Sequence, residues 1–97
     1  MSIGVIVDVY LDPGGVEMWL PIFAERFRTS RLAEGCEDLY IGVDRDDPNH
    51  LVLVERWASV EAHARNRERI VARPVPEEAT SYLIGDMRRT FIEDLGI

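Results

Sequence analysis

A strict alternation of side chains at the start of the chain constrains its fold more than any other feature. The odd-numbered residues of this segment are all apolar, namely Ile3, Val5, Val7, Val9 and Leu11. A period of two predicts a β-strand with one buried face. Asp12-Pro13-Gly14-Gly15 then interrupts the chain, as turn-forming residues do. The first element is therefore predicted to be a strand that ends near Leu11.

The apolar period then changes from that of a strand to that of a helix. The residues that carry it are Val16, Trp19, Leu20, Phe23 and Phe27, spaced at i, i+3, i+4, i+7 and i+11. Pro21 falls inside this apolar face, where it removes a backbone hydrogen bond. We expect one helix that is kinked at Pro21, ends near Ala33 and is stopped by Gly35.

Two strands and a turn are predicted next. Apolar residues alternate from Cys36 to Arg45, and Asp46-Asp47-Pro48-Asn49 is typical of a turn. In the following strand, His50 to Trp57, the residues from Leu51 to Val54 are continuously apolar, which indicates a strand covered on both faces. These two strands are predicted to form a hairpin, with the second strand in the centre of the sheet.

The rest of the chain completes an α+β pattern. Ser59 can cap a second helix that continues to about Ala72. A short helix from Glu77 to Leu83 and a final strand from Met87 to Glu93 follow. The order β-α-β-β-α-(α)-β predicts a single domain over residues 1–97. Its architecture is expected to be a four-stranded, largely antiparallel sheet with two main helices on one face. Because its other face would be uncovered in a monomer, we expect a homodimer.

Charge, cysteine content and motifs exclude several classes of protein. Eighteen acidic and eleven basic residues give a formal charge of −7, which argues against binding to nucleic acid. Cys36 is the single cysteine, and we expect it to be a small buried hydrophobe. With no basic leader segment and no apolar segment of about 18 residues, we expect a cytoplasmic protein that does not enter membranes. Motifs for nucleotide, flavin or metal are missing, so no cofactor is expected.

Three segments resemble the antibiotic biosynthesis monooxygenase family. They are Glu34-Gly35-Cys36, the hairpin with Asp47-Pro48 at its tip, and Glu55-Arg56-Trp57-Ala58-Ser59-Val60-Glu61-Ala62. The resemblance extends from about Ile3 to Phe91 and includes the order of elements. It implies a ferredoxin-like domain whose sheets pack face to face in a dimeric α/β barrel. It also implies a ligand cavity between the sheet and the helices of each subunit.

The resemblance further implies a cofactor-independent monooxygenase that acts on a small aromatic or polyketide-like molecule. Family members that form quinones carry an asparagine four residues before Trp57 and a tyrosine in the second helix, where this chain has Leu53 and His63. Haem degradation is not expected, because neither His63 nor Asn66 clearly replaces the axial histidine of the haem-degrading members. The alternatives are a ligand-binding or stress-associated dimer without turnover, and a lactone isomerase or cyclase.

His63, Trp57 and Asn66 are the predicted catalytic residues. Histidine titrates near neutrality, so His63 can serve as a base or proton donor, or it packs or is solvated at this position. Trp57 can donate its indole N–H to a ligand oxygen and stack on an aromatic ring, or it belongs to the core. Asn66, three residues after His63, lies on the same helical face and would contact a ligand carbonyl or solvent.

Phe23, Tyr40 and Arg69 are the predicted substrate contacts. Tyr40 lines the cavity only if the aliphatic rows of the sheet face away from the helices. In the opposite phase, Asp8, Tyr10 and Tyr40 point into the dimer barrel, and the sequence leaves both phases open.

Arg69 belongs to a charged ridge that recurs every four residues along the second helix and contains Glu61, Arg65, Arg69 and Arg73. The ridge binds an anionic ligand or partner, or it is a solvated face. His50, beside the hairpin turn, is expected to be exposed.

Overall fold

A computed structural model describes residues 2–97 and confirms the predicted order of elements. The elements are β1 (Ile3–Tyr10), α1 (Gly15–Ser30), β2 (Cys36–Asp44), β3 (Asp47–Trp57), α2 (Val60–Val71), α3 (Glu77–Thr80) and β4 (Arg88–Glu93). All three strand pairings are antiparallel, and the order across the sheet is β2-β3-β1-β4. This is the ferredoxin-like α+β fold that the sequence predicts, with the hairpin strand β3 inside the sheet.

The aliphatic row of β1 faces the helices. Val5, Val7 and Val9 are buried, and Val7 lies opposite Leu53 of β3 in the register. Burying such a row stabilises the fold, because removing apolar surface from water is favourable by roughly 25 cal/mol per Å². The sequence left open which face of the sheet the helices cover, and the structure shows that they cover the face with the aliphatic rows. Tyr10 and Tyr40, which lie in the other phase, are 44% and 54% exposed.

The face of the sheet opposite the helices is open, and apolar side chains lie on it beside the polar Asp8 and His50. It carries the half-buried Ile6, Val52 and Val54, together with the exposed Tyr40 and Ile92.

None of the helices within residues 2–97 has both the length and the apolar character that crossing a membrane requires.

The prediction that His50 is exposed is wrong. The His50 ring stacks on Tyr10 with 4.2 Å between ring centroids. Its Nε2 lies 2.8 Å from Asp8 Oδ1, and its Nδ1 lies 2.9 Å from Asp44 Oδ2. Only the protonated ring can donate to both carboxylates at once. The hydrogen bond to Asp44 is the largest cause of a raised pKa of His50, which burial opposes and Asp8 reinforces.

We expect His50 to make the free energy of unfolding fall as the pH rises above about 6.5. A histidine with a raised pKa stabilises the folded state fully below its unfolded pKa, and this contribution is lost as the pH rises through the folded value. The pKa of His63 is shifted down, so its contribution changes at lower pH. Urea unfolding between pH 6 and 8 should show a smaller decline in His50→Gln than in the unsubstituted protein. Equal declines would contradict this assignment.

Gly35 closes the connection between α1 and β2. The helix α1 includes Pro21 and ends at Ser30, earlier than the predicted Ala33. Gly35 follows with φ of +86°, and a Cβ built on it would lie 2.5 Å from the Ala62 Cβ. A glycine is required here because the backbone is left-handed and α2 approaches it closely.

Gly35→Ala should lower the free energy of unfolding by about 2 to 5 kcal/mol, the sum of left-handed strain and overpacking. Gly85 is the matched control, because it has φ of +69° but no atom within 4 Å of the position that a Cβ would take. Gly85→Ala should therefore lose only about 1 to 2 kcal/mol. Urea unfolding at a fixed protein concentration measures both. Equal losses would show that the approach of Ala62 carries no cost.

Candidate functional site

A cavity of about 70 Å³ lies between the inner face of the sheet and the two long helices. The helix α1 lines it with Phe23, Arg26, Phe27 and Ser30, and α2 lines it with His63, Asn66, Arg67 and Ile70. Both sets have the spacing i, i+3, i+4, i+7, so each helix presents a single face. The sheet side contributes Val7, Leu39, Leu53, Glu55, Met87 and Arg89. Arg67 is exposed, so the cavity reaches the surface beside it.

The inner face of α2 is unusually polar for a helix that packs on a sheet. Val60 and Val71, the first and last residues of this helix, are 54% and 61% exposed. His63 and Asn66 are buried instead. Buried polar side chains are more informative than exposed apolar ones, because they need partners away from water. Their burial places polar groups of α2 on the wall of the cavity and makes them candidate site residues.

His63 is held between two aromatic rings. Its ring meets Trp57 and Phe91 edge to face, with centroid distances of 5.9 and 5.3 Å. Burial, and then the positive charges of Arg89 and Arg67, lower the pKa of His63 below its usual value. The imidazole is therefore neutral at pH 7 and has a nitrogen able to accept a proton.

Glu55 is a second titratable group on the cavity wall, and Trp57 holds it. The Trp57 indole Nε1–H donates to Glu55 Oε1 over 2.8 Å. Burial raises the pKa of Glu55, while this hydrogen bond and the charge of Arg89 act against the rise. Trp57 itself is completely buried and lies behind the cavity wall. Its N–H is donated to a protein carboxylate, so Trp57 is part of the core and positions Glu55.

Asn66 lies on the cavity wall with both ends of its amide bonded. Its Nδ2 donates to Ser30 Oγ over 3.0 Å, which connects α2 with α1. Its Oδ1 accepts from Arg69 Nη2 over 3.2 Å. Arg69 is exposed and does not line the cavity, so its contact with the site is through Asn66.

The charged ridge on the second helix is shorter than the sequence suggests. Arg73 lies beyond α2, which ends at Val71. The Arg73 guanidinium binds Glu25 of α1, with its Nη1 2.9 Å from Oε2. Arg73 therefore joins the segment that follows α2 to α1, and it does not extend the ridge along α2.

The structure brings three of the six predicted site residues together. Phe23, His63 and Asn66 line the cavity. Trp57 and Arg69 contact lining residues from behind. Tyr40 lies on the open face of the sheet and is not brought to this cavity.

Four charged lining residues were not predicted from the sequence: Glu55, Arg26, Arg67 and Arg89. Glu55 falls in the same strand phase as Leu53 and Trp57, so an acidic residue in a buried row was visible in the sequence. Arg67 follows His63 by four residues and therefore shares its helical face. Arg89 had no comparable indication, because its place depends on β4 pairing with β1.

The lining side chains support proton transfer. Burial raises the pKa of Glu55, which moves this carboxyl group toward neutrality, and it lowers the pKa of His63, which leaves the imidazole unprotonated and able to accept a proton at pH 7. Nowhere in residues 2–97 do three or more His, Cys, Asp or Glu side chains form a group that could hold a metal ion.

A protein-family model described as antibiotic biosynthesis monooxygenase matches residues 2–69. The matched region extends from β1 into α2 and includes Glu55, His63 and Asn66, whereas Arg89 lies outside it. A search of curated protein sequences finds no significant match.

Solved structures with the same fold cover nearly the whole chain. Rv0793 from Mycobacterium tuberculosis superposes with a TM-score of 0.83 at 19% identity, covering 100% of this chain and 98% of that one. PA3566 from Pseudomonas aeruginosa gives 0.81 at 21% identity, with coverages of 98% and 95%. SnoaB, a cofactor-independent oxygenase from Streptomyces nogalater, gives 0.76 at 11% identity, with coverages of 99% and 95%. At such identities the similarity shows a common fold.

Proposed function

Because the chain belongs to the antibiotic biosynthesis monooxygenase family, we propose that it is a cofactor-independent monooxygenase acting on a small aromatic or polyketide-like molecule. The observation that carries this proposal is that His63 of α2 and Glu55 of β3 line the same cavity, one from the helix side and one from the sheet side, with pKa values shifted toward each other. The similarity to a cofactor-independent oxygenase adds support at the level of fold.

The reaction needs a substrate that supplies its own electrons, such as anthrone. Neutral His63 takes one proton from the methylene carbon, and the resulting carbanion reduces O₂ and forms a C–O bond to a peroxide. His63 returns its proton to the terminal peroxide oxygen. Glu55 takes the second methylene proton as the O–O bond breaks, and passes it to the departing hydroxide. One oxygen atom ends in the quinone carbonyl and the other in water, so atoms and electrons balance.

The remaining predicted residues position this chemistry. Phe23 provides an apolar wall for the aromatic ring, and Asn66 has one amide N–H left for a ligand carbonyl. Arg69 fixes the orientation of Asn66, and Trp57 fixes that of Glu55. A cavity of about 70 Å³ is smaller than the roughly 300 Å³ of typical ligand pockets. Substrate entry therefore requires the long side chains at its mouth, such as Arg67, to move.

Oxygen uptake with anthrone in chelator-treated buffer tests the proposal. The expected result is one O₂ consumed for each anthrone converted to anthraquinone. Saturable binding of anthrone with no oxygen consumption would overturn the proposal in favour of a binding protein without turnover. Product formation under anaerobic conditions from a lactone precursor, without uptake in air, would indicate an isomerase or cyclase.

A second copy of the chain is the proposed cover for the open face of the sheet. This face holds a groove of about 400 Å³ whose lining includes Ile6, Val54 and Ile92. Exposed apolar surface of this kind is unusual on a monomer and typical of an interface. A symmetric pair of sheets would bury it on both subunits at once.

Val54→Arg should convert a homodimer into a monomer, because it places an unpaired charge inside the proposed interface. The dissociation constant should rise at least about 100-fold. Light scattering should give twice the 11.1 kDa chain mass for the unsubstituted protein and the single mass for the variant. Val71→Arg, on the solvent-exposed side of α2, should remain dimeric. Dimerisation that persists in Val54→Arg would place the interface elsewhere.

A further inference from the structure

The cavity is positively charged in a protein that is strongly acidic. Its lining contains three guanidinium groups, from Arg26, Arg67 and Arg89, and one carboxylate, from Glu55. The whole chain has a formal charge of −7. With His63 neutral, the three arginines and Glu55 give the lining a net positive charge, whereas the whole protein has a net negative charge. Positive charges gathered in a partly buried space destabilise the protein unless an anion balances them.

Two of these guanidiniums are available to a ligand. Arg26 donates to the Arg73 backbone oxygen over 3.4 Å, whereas Arg67 and Arg89 form no hydrogen bond or ion pair with the side chains described in residues 2–97. Burial is the main cause of a lowered pKa of the Arg89 guanidinium, and Arg67 adds to it. The two groups therefore repel one another across the same space.

Glu55 does not neutralise this pair by itself. Its Oε1 is occupied by the Trp57 indole N–H, and it supplies a single negative charge. Guanidinium groups bind planar or tetrahedral oxyanions through paired N–H donors. Arg67 comes from α2 and Arg89 from β4, so the two approach the cavity from different elements.

We propose that Arg67 and Arg89 bind an oxyanion group, a carboxylate or a phosphate, carried by the aromatic substrate. The oxyanion lies between α2 and β4, and the aromatic ring extends toward Phe23. This inference rests on the proposed function for the aromatic part of the substrate, and on the charges of the cavity for its anionic part. It makes the site selective for acidic aromatic molecules over neutral ones of the same shape.

Calorimetric binding of three non-reacting probes tests this selectivity without turnover. The probes are 2-naphthoate, 2-naphthyl phosphate and the neutral 2-naphthamide. At least one anionic probe should bind about tenfold or more tightly than the amide, and the tighter of the two identifies the oxyanion. Arg89→Gln and Arg67→Gln should each remove most of this preference. Arg65→Gln, an exposed position on α2 outside the cavity, should leave it intact.

A second readout follows His63 by NMR titration. An oxyanion on Arg67 and Arg89 screens the two charges that lower the pKa of His63, so that pKa should rise when the anionic probe is bound. Equal affinity for amide and anions, or a preference that survives both arginine substitutions, would overturn the inference. Anionic selectivity with no oxygen uptake on any substrate would leave it standing and remove the proposed oxygenase function. Oxygen uptake on neutral anthrone with no anionic selectivity would support the oxygenase function and overturn the inference of an oxyanion site.

Discussion

Replacement of His63 by glutamine is expected to lower kcat for oxygen-dependent turnover of anthrone by about 10²- to 10⁴-fold. The lowered pKa of His63 leaves its imidazole neutral at pH 7, so the unsubstituted protein starts each turnover with a proton acceptor in place. Glutamine fills similar space and keeps polar atoms, but it cannot take up a proton. Oxygen-electrode rates at saturating anthrone, with far-ultraviolet circular dichroism to check folding, give the measurement.

The pH dependence separates a base from a packing residue at this position. In the unsubstituted protein the rate should rise as His63 loses its proton, with a midpoint below the usual value near 6.5, and then level off. His63→Gln should lose the part of this rise that belongs to His63 and keep only the part that follows ionisation of Glu55, the second proton acceptor. His50→Gln, which changes the other histidine on the opposite face of the sheet, should retain turnover at pH 6. Uptake unchanged by His63→Gln would remove His63 from the mechanism.

The fold could be predicted because its periodicities are local. The alternation of β1, the helical spacing of α1 and the cap at Ser59 each depend on residues close in sequence. Element ends were less well predicted, since α1 stops at Ser30 rather than Ala33, and the connection that follows brings Gly35 close to Ala62. That approach is a tertiary contact, and a single sequence does not display it.

The predicted residues that line the cavity, Phe23, His63 and Asn66, all lie on helices. His63 and Asn66 share the inner face of α2, and their spacing was sufficient. The surroundings of His50 depended instead on strand register, which places it opposite Tyr10 and brings it to Asp8, 42 residues away. The position of Tyr40 depended on which face of the sheet the helices cover. The packing of the whole domain decides that choice.

Replacement of Glu55 by glutamine is expected to lower kcat by about 10²-fold or more, with little loss of stability at pH 7. Glutamine keeps an oxygen that can accept the Trp57 N–H, so only the titratable group is removed. A carboxyl group with a raised pKa destabilises the fold increasingly as the pH rises from its unfolded value through its folded value. The free energy of unfolding of Glu55→Gln, relative to that of the unsubstituted protein, should therefore be higher at pH 7 than at pH 4.

Glu55→Ala distinguishes loss of the proton acceptor from loss of positioning. It leaves the buried indole N–H of Trp57 without an acceptor, which should lower the free energy of unfolding by about 1 to 3 kcal/mol. Glu37→Gln is the matched control, because Glu37 is an exposed glutamate on β2 that pairs with Arg56 outside the cavity. It should change neither turnover nor stability by a large factor. Full activity in Glu55→Gln would assign the second proton transfer to water rather than to Glu55, since the carboxylate would then be dispensable while its hydrogen bond to Trp57 is preserved.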